Sequence, residues 1–228
     1  MCFSASISFG VSAALLPVGA YCLHHAARHD RRYLALAAFP LLFSIQQAFE
    51  GWLWLALVPD GGTGLRPAAL GFLFFAYLLW PFYVPLAANR VERHPGRRRA
   101  FRGFMLVGLL FGLSLYIPLL FQPGWLAVGI VQQSILYEPV LVYDGIVPRT
   151  GVRVFYAVIV TVPLLFTTVA ALRRFGILLL SSVVVSAIFF VYAFVSIWCF
   201  FAALLSLYIV VVLHEKEAGI GRETHVTV

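Results

Sequence analysis

Long apolar stretches separated by short polar segments follow one another along almost the whole chain. Each is about as long as the roughly 20 residues that a helix needs to cross the hydrocarbon core of a membrane. The final two form one apolar run, 175–213, which is too long for a single span, so we expect a turn near 192–196. The pattern predicts seven spans, at 7–22, 34–57, 68–88, 104–121, 154–172, 176–191 and 196–213.

The composition supports this interpretation. Apolar residues make up 62% of the chain and charged residues 11%, whereas soluble domains have about 45–50% and about 25%. We therefore predict an all-α integral membrane protein, a seven-transmembrane-helix bundle over residues 1–213 with a tail at 214–228. The spans leave no room for a separate soluble domain.

The basic residues predict the orientation of the bundle. Thirteen of the 16 lie in the loops after spans one, three and five and in the C-terminal tail. By the positive-inside rule that side is cytoplasmic, which places the N-terminus outside and the C-terminus inside. Charge clustered in such loops is typical of membrane orientation, so we expect a lipid bilayer and not nucleic acid as the partner.

The segment 122–153, between spans four and five, differs from the other connections. Proline and glycine punctuate it, and its centre, 135–145, is rich in strand-forming residues. We expect a hairpin or a short re-entrant cap on the outer face. A long ordered loop that merely joins two helices is the alternative.

One acidic residue, Glu50, lies inside a predicted span. A carboxylate there costs roughly 2.5 to 3.5 kcal/mol on insertion scales, and such residues usually face the interior of a bundle and mark a ligand site or a pathway. Gln46 and Trp54 are four residues away on either side and Gln47 is three residues before, so all four share one broad helical face. This face predicts a polar site that opens outward and takes a small molecule or an ion.

Few residues of the other spans could complete such a site. Arg153 is the basic residue closest to bilayer depth on the outer side, and Tyr156 lies one turn deeper. We include both in the predicted ligand site. The alternative is that Glu50 only forms an inter-helix hydrogen bond that holds the bundle together.

Two cysteines are expected at the same outer boundary. Cys2 lies at the start of the chain and Cys199 at the start of the last span. Packing, a disulfide between them, and a metal or catalytic role all remain open. In the catalytic case Cys2 would act as thiolate or metal ligand, and Glu50 as general acid or base.

Three blocks of sequence carry a resemblance to a known family. They are the opening Met-Cys-Phe-Ser-Ala-Ser, the stretch 46–54 around Glu50, and 196–203 around Cys199. They are similar to the signature blocks of a bacterial multi-pass membrane family of unknown function whose members open with Met-Cys-Phe-Ser. The resemblance implies that the blocks belong together and that the protein lies in the bacterial cytoplasmic (inner) membrane, but it implies no activity, ligand or cofactor.

Three functions follow as hypotheses. The first is a site centred on Glu50 that binds, senses or transports a small molecule or ion. The second is a membrane-embedded thiol- or metal-dependent enzyme that uses Cys2 and Glu50. The third is a structural or assembly subunit of a membrane complex, in which the polar residues only fix helix packing.

Overall fold

The structure, a computed structural model, describes residues 4–57, 64–190 and 193–215, and these are mostly helical. A π-helical turn, Phe74–Leu79, joins α4 to α5. The helical path continues beyond α9 through a 3-10 turn, Ser206–Tyr208, to residue 215. In chain order the α-helices are α1 Ala5–His29, α2 Leu34–Ala37, α3 Phe39–Ala56, α4 Leu65–Leu73, α5 Trp80–Val91, α6 Pro95–Phe121, α7 Arg149–Leu165, α8 Ala170–Phe189 and α9 Phe194–Leu205.

Six helical stretches of the described residues are long and apolar enough to cross a membrane. The helix α7, with 17 residues, is not among them. A helical, multi-pass architecture is thus supported, and the count of seven spans stays a prediction. The six are Ala5–His29, Arg31–Ala56, Leu65–Val91, Pro95–Phe121, Ala170–Phe189 and Phe194–Glu215.

The α1–α2, α5–α6 and α7–α8 junctions lie together at one end of the bundle, which we call the arginine end. Two contacts show that they are close. Glu92, after α5, accepts hydrogen bonds from Thr168, between α7 and α8, and α5 packs against the 3-10 turn Arg31–Tyr33 that joins α1 to α2. The opposite end carries the segment between α6 and α7, and we call it the hairpin end. Arg173 and Arg174, expected in a loop, lie in the first turn of α8 at the arginine end.

The span predicted at 154–172 is in fact broken. The helix α7 ends at Leu165, and α8 begins at Ala170. The reason is Glu92, which is 3% exposed and accepts hydrogen bonds from the backbone N–H of Thr168 at 2.8 Å and from its hydroxyl at 2.7 Å. Because these bonds hold Thr168 outside a helix, the apolar run cannot continue as one.

The same carboxylate organises a second loop. Its Oε1 accepts the backbone N–H groups of Arg93 and His94, both at 2.9 Å. Burial of Glu92 raises its pKa, but the hydrogen bonds from His94 and Thr168 outweigh that effect and hold the pKa below its usual range. The charged form of Glu92 therefore ties the α5–α6 junction to the α7–α8 junction.

Two glycines bring α6 into backbone contact with α5 and the π-helical turn. A Cβ placed on Gly108 would lie 1.9 Å from the carbonyl oxygen of Pro81, and one on Gly112 would lie 2.7 Å from that of Tyr77. Pro81 and Pro85 have no N–H, so the carbonyls four residues earlier, of Tyr77 and Pro81, lack their α-helical donors. The Gly-x-x-x-Gly spacing lets α6 approach those two carbonyls closely.

The π-helical turn also presents a carbonyl to α7. Within the turn the N–H of Trp80 bonds to the carbonyl of Phe75, five residues back. The carbonyl of Ala76 accepts a hydrogen bond from the hydroxyl of Tyr156. Wide turns of this kind are rare and are frequently found at functional sites.

The segment between α6 and α7 contains a two-stranded antiparallel hairpin, β1 Leu126–Val131 and β2 Ser134–Pro139. Gln132 and Gln133 form its turn with positive φ angles of 46° and 58°, as two-residue hairpin turns require. The ring of Tyr137 is buried and stacks on Phe72 at 5.0 Å. The strands begin and end earlier than the predicted centre at 135–145, whose second half is a turn.

Candidate functional site

A buried polar cluster surrounds Glu50 in the middle of α3. The amide nitrogen of Gln47 donates to Oε2 of Glu50 at 3.0 Å, and the hydroxyl of Ser196 in α9 donates to Oε1. Next to them, the indole N–H of Trp80 donates to the amide oxygen of Gln46 at 2.8 Å. The glutamines are fully buried and Glu50 is 3% exposed. The polar face of α3 thus joins α9 and α5 through side-chain hydrogen bonds.

The other residues of the predicted site do not bond to Glu50. Trp54 is half-buried, and its indole nitrogen has no hydrogen-bond partner among the described residues. Tyr156 donates to the backbone of the π-helical turn. The guanidinium of Arg153 lies over the ring of Phe194, 5.3 Å from its centroid.

Arg153 and Tyr156 instead line a separate cavity of about 90 Å³ at the hairpin end. It lies between the π-helical turn, the hairpin, α7 and α9, and we call it the hairpin-end cavity. Glu50 is not part of its wall. The polar or reactive side chains that line it are those of Tyr77, Tyr137, Arg149, Arg153, Tyr156, Trp198 and Cys199.

The polar cluster lies just behind this wall. Tyr137 and Cys199, which both line the cavity, are close enough to Glu50 for its charge to act on them. Ser196, which bonds to Glu50, precedes Trp198 by two residues and Cys199 by three on α9. The bond between Glu50 and Ser196 therefore fixes the part of α9 that forms the cavity wall.

The two arginines of the cavity differ in their surroundings. Arg149 forms two hydrogen bonds with the carboxylate of Asp144, at 3.1 and 3.0 Å, and a third with the carbonyl of Pro139. The same contact with Arg149 holds the pKa of Asp144 below its usual range. Arg153, one turn further along α7, forms no ion pair with any acidic residue that the structure describes. Within the described part of the chain, the cavity therefore has one neutralised cation and one without a counter-ion.

Two polar atoms of the cavity wall are buried without a partner. They are the hydroxyl of Tyr137 and the indole nitrogen of Trp198, and neither has a hydrogen bond within the described part of the chain. Burial raises the pKa of Tyr137 well above its usual range. The phenol consequently keeps its proton and can donate it in a hydrogen bond.

A second, smaller cavity of about 30 Å³ lies deeper in the bundle. It shares Tyr156, Trp198 and Cys199 with the hairpin-end cavity. Its remaining wall is apolar and is dominated by the rings of Phe39, Phe43, Trp80 and Phe175. We call it the aromatic pocket.

The structure describes only one of the two cysteines on which the thiol hypothesis depends. Cys199 is buried with a free thiol, and Cys2 lies outside the described residues. Over the ranges 4–57, 64–190 and 193–215, no group of three or more His, Cys, Asp or Glu is placed to hold a metal ion.

Several residues of the site were not found from the sequence. Ser196 lies in one of the three blocks that carry the family resemblance, but nothing in that block indicates a partner 146 residues away. Tyr137 and Trp198 are two of 15 tyrosines and tryptophans in the chain, so neither stood out. The Gly108-x-x-x-Gly112 spacing, a known helix-contact motif, could have predicted the approach of α6 to the helix before it.

Comparison with known proteins gives a family and no activity. No curated protein and no solved structure matches the chain. A family described only as a family of unknown function, DUF6629, matches residues 1–223 and so covers all the described elements. The resemblance to a family of unknown function is thus confirmed, whereas the bacterial origin and the role of the N-terminal motif stay predictions. The chain belongs to the family of unknown function DUF6629.

Proposed function

We propose that this protein is a seven-span membrane protein that binds a small molecule in the hairpin-end cavity, to sense it or to transport it. The observation that carries the proposal is the cavity itself. In a chain with 62% apolar residues, it gathers two arginines, three tyrosine hydroxyls, an indole N–H and a thiol around about 90 Å³ of space. Pockets with a mainly apolar wall and a few convergent polar groups are the usual form of ligand sites.

In this proposal Arg153 and Tyr156 contact the ligand, and Glu50 supports the site from behind. Both carboxyl oxygens of Glu50 already accept hydrogen bonds from the protein. Gln46 and Gln47 belong to the same supporting cluster, and Trp54 continues the face one turn further towards the hairpin end. The ligand site is therefore centred closer to Arg153 than the sequence predicted.

The orientation of the bundle is part of the proposal. The hairpin end would face the outside of a bacterial cytoplasmic membrane, because the loops at the opposite end carry most of the basic residues. The helix α7 would be the fifth of seven spans, tilted or short, with its N-terminal arginines at the outer boundary. A ligand would then enter the cavity from outside the cell.

A structural role in a membrane complex is the second candidate. It is favoured by one observation, that both oxygens of Glu50 already accept hydrogen bonds from the protein, one from Gln47 within α3 and one from Ser196 of α9. In that case the cavity would hold no specific molecule. The two functions therefore differ in whether the cavity is occupied.

A cavity-filling variant separates them. Val152 lines the cavity, whereas Val154 on the same helix is 57% exposed. Native mass spectrometry of the protein released from membranes should show a bound small molecule that Val152→Phe removes and Val154→Phe retains. The structural role would be the better explanation if both variants kept the same amount of bound molecule, or if the unaltered protein carried no bound molecule.

A further inference from the structure

We propose that the ligand of the hairpin-end cavity is a small carboxylate with an aromatic body. This inference rests on the proposed function and adds the chemical class of the ligand. Its carboxylate would bind between Arg153, Tyr137 and Trp198, and its ring would point to the aromatic pocket.

The charge of the cavity favours an anion. No Asp or Glu is found among the described residues that line it. Arg149 is neutralised by Asp144. Arg153 lies over the face of the Phe194 ring and near Tyr77, and the like charge of Arg149 also acts on it. A half-buried guanidinium has lost part of its hydration, and without a counter-ion nothing replaces that lost interaction. A bound carboxylate would supply the missing charge and fit the fork of N–H groups.

The unpartnered polar atoms point the same way. Tyr137 and Trp198 are each only 7% exposed, and both present a polar atom without a hydrogen-bond partner. An indole nitrogen can only donate, and the protonated phenol of Tyr137 has a donor to offer. Arg153 likewise only donates. Two groups that can only donate, together with a hydroxyl that can donate as well, favour a ligand rich in acceptors. A carboxylate is such a ligand, whereas an ammonium group or a metal cation is not.

The aromatic pocket defines the rest of the ligand. It adjoins the cavity at Tyr156, Trp198 and Cys199, which line both, so a ring bound beside the arginine would face the side of the cavity that borders the aromatic pocket. Its wall contains four aromatic rings besides those of Tyr156 and Trp198, and aromatic pairs in offset or edge-to-face contact are favourable beyond their buried area. The two cavities, of about 90 and 30 Å³, suit a single ring better than a long acyl chain.

Fluorine NMR with two matched probes tests the inference. The protein is held in nanodiscs of phosphatidylcholine, so that no anionic lipid competes, and is titrated with 4-fluorobenzoate and with its neutral analogue 4-fluorobenzamide. The benzoate should bind at least about tenfold more tightly, as expected for charge-assisted hydrogen bonds. Arg153→Gln should remove that preference and leave the affinity for the amide nearly unchanged.

Two further variants make the outcomes distinct. Arg66→Gln removes an arginine at the same end that bonds to the carbonyls of Leu119 and Leu120 and not to the cavity, so it should keep the preference. Val152→Phe should weaken both probes. Equal binding of both probes, unchanged in Arg153→Gln, would overturn the carboxylate inference and leave a ligand cavity standing. Failure of both probes to bind the unaltered protein, with a native mass spectrum free of any ligand, would overturn the proposed function as well.

Discussion

Replacing Glu50 with glutamine should leave the protein as stable as before, whereas replacing it with leucine should not. In the glutamine variant the new side-chain oxygen can still accept the hydroxyl of Ser196. Its new amide group meets the amide of Gln47, whose oxygen has no partner in the described structure. A flip of the Gln47 amide turns that oxygen towards the new donor. The number of buried hydrogen bonds is then unchanged.

Leucine removes both acceptors. The Gln47 amide nitrogen and the Ser196 hydroxyl are buried, so each loses its partner away from water. Hydrogen bonds between membrane helices contribute about 0.6 kcal/mol on average and up to about 1.7 kcal/mol each. The Ser196 bond is of this kind, whereas the Gln47 bond lies within α3. If each contributes a similar amount, the expected loss is about 1 to 3 kcal/mol in the free energy of unfolding, against less than about 0.5 kcal/mol for glutamine.

Reversible unfolding by dodecyl sulfate in mixed micelles measures these differences. Glu138→Gln and Glu138→Leu, on an exposed position of β2, are matched controls that should change little. Combining Glu50→Leu with Ser196→Ala should cost less than the sum of the two single changes, because the orphaned hydroxyl is gone. If glutamine destabilised the protein as much as leucine does, the hydrogen-bond reasoning would be refuted and the charge of Glu50 itself would have to matter.

Three more predictions concern packing, pH and topology. Gly108→Ala should destabilise the protein by about 3 kcal/mol or more, because its Cβ would overlap a backbone carbonyl. Gly103→Ala is the control, since open space surrounds that position, and it should stabilise the helix by up to about 1 kcal/mol. Unfolding in mixed micelles measures both changes. Folding lowers the pKa of Glu92, so its charged form adds to the free energy of unfolding at pH values above the ordinary pKa near 4.5. This contribution is lost as the pH falls through the lower pKa of the folded protein. Stability measured against pH should therefore fall less steeply in acid for Glu92→Gln than for the unaltered protein. Gln133→Cys, in a background without Cys2, should react with a membrane-impermeant maleimide added outside intact cells, and labelling only after lysis would reverse the proposed orientation.

The sequence predicted those features that follow from local periodicity. The spacing of Gln46, Gln47 and Glu50 predicted one shared face, and the structure buries all three on it. Six of the seven apolar stretches likewise correspond to long helices, the exception being 154–172, and the Pro- and Gly-rich segment 122–153 contains a hairpin.

Contacts between residues that are far apart in the sequence could not be predicted from local periodicity. The break after Leu165 is caused by Glu92, which lies 76 residues before Thr168 and looked like an ordinary loop residue. The cavity likewise depends on where the bundle places Tyr137 and Trp198 relative to Arg153. No spacing within one segment encodes such contacts, because they depend on how the helices pack.

The bond between Ser196 and Glu50 has a consequence for the synthesis of the protein. At about 5 to 20 residues per second, Ser196 leaves the ribosome roughly 7 to 30 s after Glu50. During that interval the carboxyl group has entered the membrane without its distant donor. Gln47, made three residues earlier, is available from the start and bonds to the same group. The Gln47 amide can therefore donate a hydrogen bond to the carboxyl group while the bundle is incomplete, and the Ser196 hydroxyl adds the second bond once α9 has been made.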